Sequence, residues 1–150
     1  GIAEAEPWEE LNELDIGLFS GLEMAQAQHR HPTEFRQFME HSWDGVPGAE
    51  PSSEIYARAV ALWQRLFEQH QEGMHNILSV THSGTIQWVI KATVGNRSWM
   101  PLFPMPNCAI FYLEINNRTI PADEHHPAAS PAYRAAWTVM GHSPLDGSKP

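Results

Sequence analysis

The segment ILSVTHSGTIQWVI at residues 77–90 places the strongest constraint on the fold. Residues 77–80 form a short, largely apolar run without alternation, which is typical of a strand buried on both faces of a parallel sheet. A helical pattern follows at once, over residues 85–94, and Gly95 ends it. A buried strand that leads directly into a helix indicates an α/β fold, with His82 at the carboxyl end of the strand.

Three further elements are predicted. Residues 22–41 carry a loose amphipathic helical pattern that Pro32 interrupts. A loop over residues 43–51 precedes the clearest helix, for which Ser52 or Ser53 is the expected N-cap. The apolar residues of that helix share one face: Ile55, Ala59, Leu62, Trp63, Leu66 and Phe67. Residues 108–115 predict a second strand, whereas residues 119–150 contain five prolines and predict an irregular tail with one helical turn around residues 133–139.

Composition restricts the class of protein. The hydrophobic fraction of 42% and six tryptophans are sufficient for one core, so we expect a single domain over residues 1–150. A net charge of −9 argues against binding to nucleic acid, which requires basic surfaces. No apolar run is long enough to cross a membrane. A single cysteine, Cys108, excludes an internal disulfide and is compatible with a reducing compartment, so a cytoplasmic location is expected.

The turn after the predicted strand has the chemistry of an anion site. Ligands of α/β sheets bind beyond the carboxyl ends of the strands, and a helix N-terminus presents unpaired N–H groups and a positive dipole. His82 can donate a hydrogen bond to a phosphoryl oxygen, and Gly84 lets the main chain approach closely. The alternative is a histidine that only caps the helix or packs under a loop.

Four short motifs occur in a fixed order along residues 11–115. They are LNELDIG at 11–17 with Gly21, PGAEPS at 47–52 followed by a helix with Arg58, VTHSG at 80–84, and PNCA at 106–109. Together they resemble the motifs L-x-E-x-x-x-G…G, P-G-G-E-S, S-H-G-G and P-N-x-x of the phosphoglycerate-mutase-like branch of the histidine phosphatase superfamily. The resemblance implies an α/β fold with a mostly parallel sheet flanked by helices.

The resemblance also implies phosphoryl transfer through a phosphohistidine, without a metal or other cofactor. His82 matches the family's second, phosphate-binding histidine, and Glu13 matches the acid that protonates the leaving oxygen. Ser83 replaces a residue that is often glycine, and its N–H is expected to face the phosphate beside Gly84. Asn107 matches a position near the site. The expected activity is hydrolysis of a phosphomonoester, with phosphoglycerate mutation as the lesser expectation. Without the resemblance, Glu13 would be interpreted as a solvated loop carboxylate.

The chain departs from the family at the nucleophile. The family's Arg-His-Gly motif is absent, and the one Arg-His dipeptide, Arg30-His31, precedes Pro32 in a helical stretch. Only twelve residues precede Glu13, so the fold is expected to be incomplete at its N-terminus and this chain to be inactive. A strand at residues 77–81 would then have an unpaired edge, which predicts a homodimer or a swapped assembly. The alternative is a non-enzymatic remnant that keeps an anion pocket and acts by binding or by self-association.

Other reactive side chains are assigned no functional role. The nine histidines include no pair at i and i+4 with an intervening glutamate, so no metal site is predicted. The residues that come nearest to a metal-binding pattern are His125 and His126, which follow Asp123 and Glu124. Cys108 stands at the start of a predicted strand among apolar residues, so it is expected to be a small buried hydrophobic residue.

Overall fold

The structure, a computed structural model, describes residues 5–99, 105–120 and 130–142. The chain divides into two compact units, Gly1–Leu102 and Phe103–Pro150. Among the described residues, the first unit contains four α-helices and the second contains a two-stranded antiparallel sheet.

The first two helices, α1 (Met24–Arg30) and α2 (Pro32–His41), confirm the helical pattern over residues 22–41 and its interruption. Proline lacks the N–H that a helix interior needs but is well suited to a first turn, so Pro32 starts α2 rather than extending α1. Glu23 caps α1, because its side chain and that of Gln26 each bond the other's main-chain N–H in a capping box.

The third helix, α3 (Ser52–Gln71), confirms the predicted apolar face, since Ile55, Ala59 and Leu62 are buried. The expected N-cap is wrong. Pro51 occupies the cap position and neither serine hydroxyl caps the helix. Instead the Ser52 N–H donates to Asp44 Oδ1 at 2.7 Å. A carboxylate at a helix N-terminus also interacts favourably with the helix dipole, so an aspartate from the preceding loop replaces a local serine.

One part of the core of the first unit is aromatic. Phe19 is fully buried, together with Ala27 of α1 and Val46. Half-buried residues pack around this cluster: Ile16, Leu22, Phe35, Phe38, Trp43 and Ala49. The Phe19 and Phe38 rings meet edge to face with centroids 6.0 Å apart, which is a favoured aromatic geometry. This cluster attaches α1 and α2 to the loops on either side of them.

The fourth helix, α4 (Ser83–Thr93), packs against α3. Trp88 is buried and meets Tyr56 of α3 edge to face, with ring centroids 6.4 Å apart. Lys91 is also buried, with its Nζ 4.0 Å from the centre of the Trp88 ring. Burial lowers the pKa of Lys91 below its usual value of 10.5, because the charged amine loses its hydration. Gly95 follows the helix with a positive φ of 69°.

The second unit contains β1 (Ile110–Ile120), which pairs antiparallel with β2 (Ser130–His142). The strand predicted at residues 108–115 is thus present and extends further along the chain. The prediction of an irregular tail with one helical turn is wrong for residues 130–142, which form β2. Pairing with β1 gives this segment inter-strand hydrogen bonds that a single helical turn could not provide. The described strands form no parallel sheet, so this part of the expected architecture is not confirmed.

Residues 74–82, the segment before α4, differ from the expected buried strand. The segment is not part of a sheet, and within the described residues the main chain of 75–81 makes no backbone hydrogen bond. Leu78 is 89% exposed and Val80 is 81% exposed. The apolar run indicates a strand, but a strand is buried only where neighbouring strands and helices cover it. No helix in the described part of the chain is long and apolar enough to span a membrane.

Candidate functional site

The N-terminus of α4 carries three of the predicted site residues. His82 is the N-cap residue, with an extended main chain (φ −113°, ψ 166°), and Ser83 and Gly84 form the first turn. His82 and Ser83 are exposed to solvent, and neither caps the helix with its side chain. The helix dipole places partial positive charge at this end, so an anion that reaches it is stabilised.

Glu13 lies at the same helix end. Its carboxylate oxygen Oε2 accepts a hydrogen bond from the Gly84 N–H at 3.5 Å, while Oε1 accepts one from the Leu14 N–H at 3.0 Å. The two positions are 71 residues apart in sequence. The structure thus brings together Glu13 and the turn that follows His82, and its carboxylate occupies the kind of position that an anionic ligand would take.

Gly84 is required for this approach. A Cβ atom at Gly84 would lie 2.6 Å from Glu13 Oε1 and 2.8 Å from two carbon atoms of the Leu14 side chain. Such separations are well inside van der Waals contact, so any larger residue would displace the Glu13 carboxylate from the helix end. The φ of Gly84 is not in the left-handed region, so backbone conformation does not require a glycine here. Glycine is needed because it leaves room for the Glu13 side chain to approach the helix end.

The main chain before Glu13 is held by side chains from three other elements. Thr85 Oγ1 of α4 donates to the Asn12 carbonyl oxygen at 2.6 Å, and Thr81 Oγ1 donates to the Leu11 carbonyl oxygen at 2.7 Å. Arg58 Nη1 of α3 donates to the carbonyl oxygens of Glu10 at 3.0 Å and Asn12 at 2.8 Å. Three consecutive carbonyl groups are thus satisfied by donors distant in sequence.

Arg58 also forms a bidentate ion pair with Glu50. Its Nε and Nη2 atoms lie 2.9 and 2.7 Å from the two carboxylate oxygens, and both side chains are about four-fifths buried. The planar guanidinium matches the carboxylate geometry, which makes this a strong type of pair. Sequence analysis placed both residues in one motif but did not assign the contact. The signal available was a glutamate in a loop eight residues before an arginine on the helix that follows.

The loop that carries Glu50 crosses the segment that carries Glu13. Leu18 N–H donates to the Pro47 carbonyl oxygen at 2.9 Å, and Glu50 N–H donates to the Asp15 carbonyl oxygen at 2.8 Å. An isolated antiparallel bridge between residues 16 and 49 lies between these two bonds. The first two motifs of the sequence are therefore in direct main-chain contact, although 29 residues lie between Gly17 and Pro47.

The remaining candidates lie elsewhere. Asn107 belongs to a turn of the second unit. Cys108 is exposed and has a positive φ of 57°, so the expectation that it is buried is wrong. It lies in the turn that precedes β1, outside the packed strand pair. His31 lies between α1 and α2 with its ring 6.5 Å from that of Phe19.

Metal ligation gains no support from the part of the chain that the structure describes. No group of three or more His, Cys, Asp or Glu side chains there is arranged to hold an ion. The acidic and histidine residues at positions 123–126 lie outside the described residues. At the N-terminus of α4 the structure places main-chain N–H groups, the His82 imidazole and the Glu13 carboxylate.

Comparison with known proteins identifies the family. The sequence model of the histidine phosphatase superfamily (branch 1) matches residues 1–126, which include Glu13, His82 and Asn107. No curated protein and no solved structure matches the chain. Since the match covers far more than half of the residues, the chain belongs to the histidine phosphatase superfamily, an α/β family of phosphatases and mutases that bind phosphorylated substrates.

Proposed function

We propose that the chain is a phosphoglycerate-mutase-like member of the superfamily that binds the phosphoryl group of a phosphomonoester at the N-terminus of α4. The observation that carries the proposal is the contact of the Glu13 carboxylate with the Gly84 N–H, next to His82. Family membership supports a ligand that bears phosphate. Asn107, which belongs to the second unit, stays a prediction from the resemblance of its motif.

The proposed roles follow from the chemistry of phosphoryl transfer, which depends mainly on positioning and charge stabilisation. His82 and the Ser83 N–H bind the non-bridging oxygens, while the Gly84 N–H, which holds the Glu13 carboxylate, lies beside them. Glu13 delivers a proton to the leaving oxygen as its bond to phosphorus breaks. Arg58 is not assigned to the phosphate, because Glu50 and two carbonyl groups already engage its guanidinium.

Covalent transfer also requires a histidine that attacks phosphorus, and the Arg-His-Gly motif that supplies it in the family is not present in these 150 residues. His31 is set between two helices beside Phe19, which supports no such role. We therefore propose that this chain binds phosphate without turnover, and that hydrolysis through a phosphohistidine belongs to an intact parent that supplies the nucleophile.

The test combines binding of inorganic phosphate with turnover of an aryl phosphate. On addition of phosphate, NMR should show shifts of the Ser83 and Gly84 amide signals in the unaltered chain. His82→Ala should weaken phosphate binding by about tenfold or more, since a charge-assisted hydrogen bond contributes about 1.5–3 kcal/mol. His75→Ala is the matched control, an exposed histidine in the same segment, and should leave the affinity unchanged.

Three results would contradict this proposal. The first is the absence of any phosphate-dependent shift at Ser83 and Gly84. The second is an equal loss of affinity in His82→Ala and His75→Ala. The third is hydrolysis of the aryl phosphate that His82→Ala abolishes, since the chain would then hold its own nucleophile and the proposed division between binding and turnover would fail.

Self-association is the second candidate function, and residues 74–82 favour it. The main chain of 75–81 has no backbone partner among the described residues, and Leu78 and Val80 are almost fully exposed. The segment contains no Asp, Glu, Lys or Arg, in a chain with a net charge of −9, so two copies can meet here without carboxylate repulsion. A second copy of the same segment would supply both a strand partner and an apolar cover, which is the basis for proposing a homodimer.

Val80→Lys tests this second candidate. A lysine on an exposed strand opposes edge-to-edge pairing, so a dimer should become a monomer in sedimentation velocity at micromolar concentration. Met39→Lys is the control, because Met39 is also an exposed apolar residue but lies on α2. An unaltered chain that sediments as a monomer, or a dimer that survives Val80→Lys, would rule out pairing through this segment.

A further inference from the structure

Glu13 is an exposed side chain whose carboxylate must be placed accurately if it is to deliver a proton. Its described hydrogen bonds are to main-chain N–H groups, one of them a long contact to Gly84. Side-chain bonds of this kind are too few to fix an exposed glutamate, so its position depends on the main chain that carries it. The residue immediately before it, Asn12, is where that main chain is held most firmly.

The Asn12 carbonyl oxygen accepts two hydrogen bonds from different helices. Thr85 Oγ1 of α4 lies 2.6 Å away, and Arg58 Nη1 of α3 lies 2.8 Å away. Thr85 is 2% exposed, so its hydroxyl bonds inside the protein rather than to solvent. Arg58 is itself oriented by its bidentate pair with Glu50. The two donors therefore approach the carbonyl from two helices that each bury one face.

Thr85 links the N-terminus of α4 to the main chain at Asn12, whereas Arg58 reaches Asn12 from α3. Thr85 follows Gly84 in the first turn of α4, so one helical turn both receives the Glu13 carboxylate and binds the main chain that carries it. A movement of the α4 N-terminus away from Asn12 would stretch this short hydrogen bond. A displacement of about 1 Å at a reacting group can cost about 100-fold in rate, so such a connection matters for an acid.

We propose that Thr85, assisted by Arg58, is a positioning residue that holds Glu13 against the N-terminus of α4 through the Asn12 carbonyl. The value of this arrangement for proton delivery rests on the proposed function. The hydrogen bonding and its effect on Glu13 do not, and they can be measured in the chain without any substrate.

The experiment follows the Gly84 amide signal by NMR while pH is lowered. Protonation of Glu13 changes the charge on the acceptor of that N–H, so the unaltered chain should show a titration step at Gly84, and Glu13→Gln should remove it. Thr85→Val keeps the shape of the side chain but removes the hydroxyl, and should abolish the step. Thr85→Ser restores a hydroxyl and should restore the step.

Thr93→Val is the matched control. Thr93 lies on the same helix, and its hydroxyl bonds the Ile90 carbonyl oxygen at 2.7 Å, within α4 itself. This variant should keep the Gly84 step, which separates loss of the Asn12 contact from a general effect of removing a threonine hydroxyl. If Thr85→Val does not fold, Arg58→Lys replaces it. That variant keeps the positive charge but loses the planar guanidinium group that bonds Glu50 and Asn12 at the same time. The titration step at Gly84 should therefore become smaller.

The proposal is overturned if the Gly84 step persists in Thr85→Val, or if Thr85→Ser fails to restore it while Thr93→Val keeps it. Failure of the proposed function gives a different result, namely no phosphate-dependent shift at Ser83 and Gly84 in the unaltered chain. The two measurements use the same signals with different additions, protons in one and inorganic phosphate in the other. Either proposal can therefore fail while the other stands.

Discussion

Gly17→Ala should lower the free energy of unfolding by about 3 kcal/mol, because it combines a strained backbone with a clash against main chain. Gly17 has a φ of +54°, a conformation that residues with a Cβ rarely adopt. Its Cβ would also strike the main chain of Gly48 and Ala49. Main-chain atoms cannot rotate away as a side chain would, so the loop over residues 47–50 would have to move.

Gly21→Ala is the control that separates these two causes. Gly21 has a φ of +74°, but a Cβ there would meet nothing within 4 Å. It should therefore incur only the cost of the left-handed conformation, about 1 kcal/mol. Urea unfolding of both variants measures the difference. Equal losses would show that the crossing of residues 16–18 with the loop is not as close as described.

The crossing also matters for the site. The loop that Gly17 contacts carries Glu50, whose carboxylate orients Arg58, which in turn binds the Asn12 carbonyl oxygen. A displaced loop would loosen that chain of contacts up to the residue before Glu13. Gly17→Ala should therefore also diminish the titration step at Gly84, whereas Gly21→Ala should leave it intact.

Arg58→Ala should destabilise the chain by about 3 kcal/mol, because it leaves a largely buried carboxylate and the Glu10 carbonyl group without their donor and removes one of the two donors to the Asn12 carbonyl group. Both members of the Arg58–Glu50 pair are about one-fifth exposed, so solvent cannot replace the lost contacts fully. Thermal or urea unfolding measures the loss. Glu50→Gln on top of Arg58→Ala should recover part of it, since the unpaired charge is then removed.

Arg65→Ala is the matched control on the same helix. Arg65 pairs with Glu6 and Glu10, and its guanidinium lies 3.7 Å from the centre of the Trp8 ring. The Arg65 and Glu6 side chains are far more exposed than the Arg58 pair. Exposed ion pairs contribute little, so the loss should be about 1 kcal/mol. If the two arginine variants lost the same stability, burial of the Arg58 pair would not be the source of its strength.

Local patterns accounted for the helices well. The apolar spacing of residues 55–62, the proline at position 32 and the glycine at position 95 each act within a few residues, and α1 to α4 begin and end close to where those signals predict. The same holds for β1, whose apolar and aromatic run lies in a strand. Periodicity and backbone stereochemistry are properties of the chain itself, so they need no knowledge of distant neighbours.

Burial and pairing could not be predicted in the same way. An apolar run at residues 77–80 indicates an extended conformation, but whether it is covered depends on other strands, and in this structure it is exposed. Residues 130–142 were predicted to be irregular and instead pair with β1 across an intervening segment. The acceptor for the Ser52 N–H at the start of α3 is Asp44, eight residues earlier in the chain. Each of these outcomes depends on a partner that is not adjacent in sequence.

The same distinction between local sequence and tertiary contacts applies to the candidate site. The amino-acid sequence by itself determined the family motifs, and with them the identity of Glu13, His82, Ser83, Gly84 and Asn107 as candidates. Only the tertiary structure decided that Glu13 meets the α4 N-terminus, and that Thr85 and Arg58 bind the carbonyl beside it. A motif records which side chains are present. Hydrogen bonds between residues more than forty positions apart form only when helices and loops pack in one arrangement, and that arrangement is set by burial of the whole core.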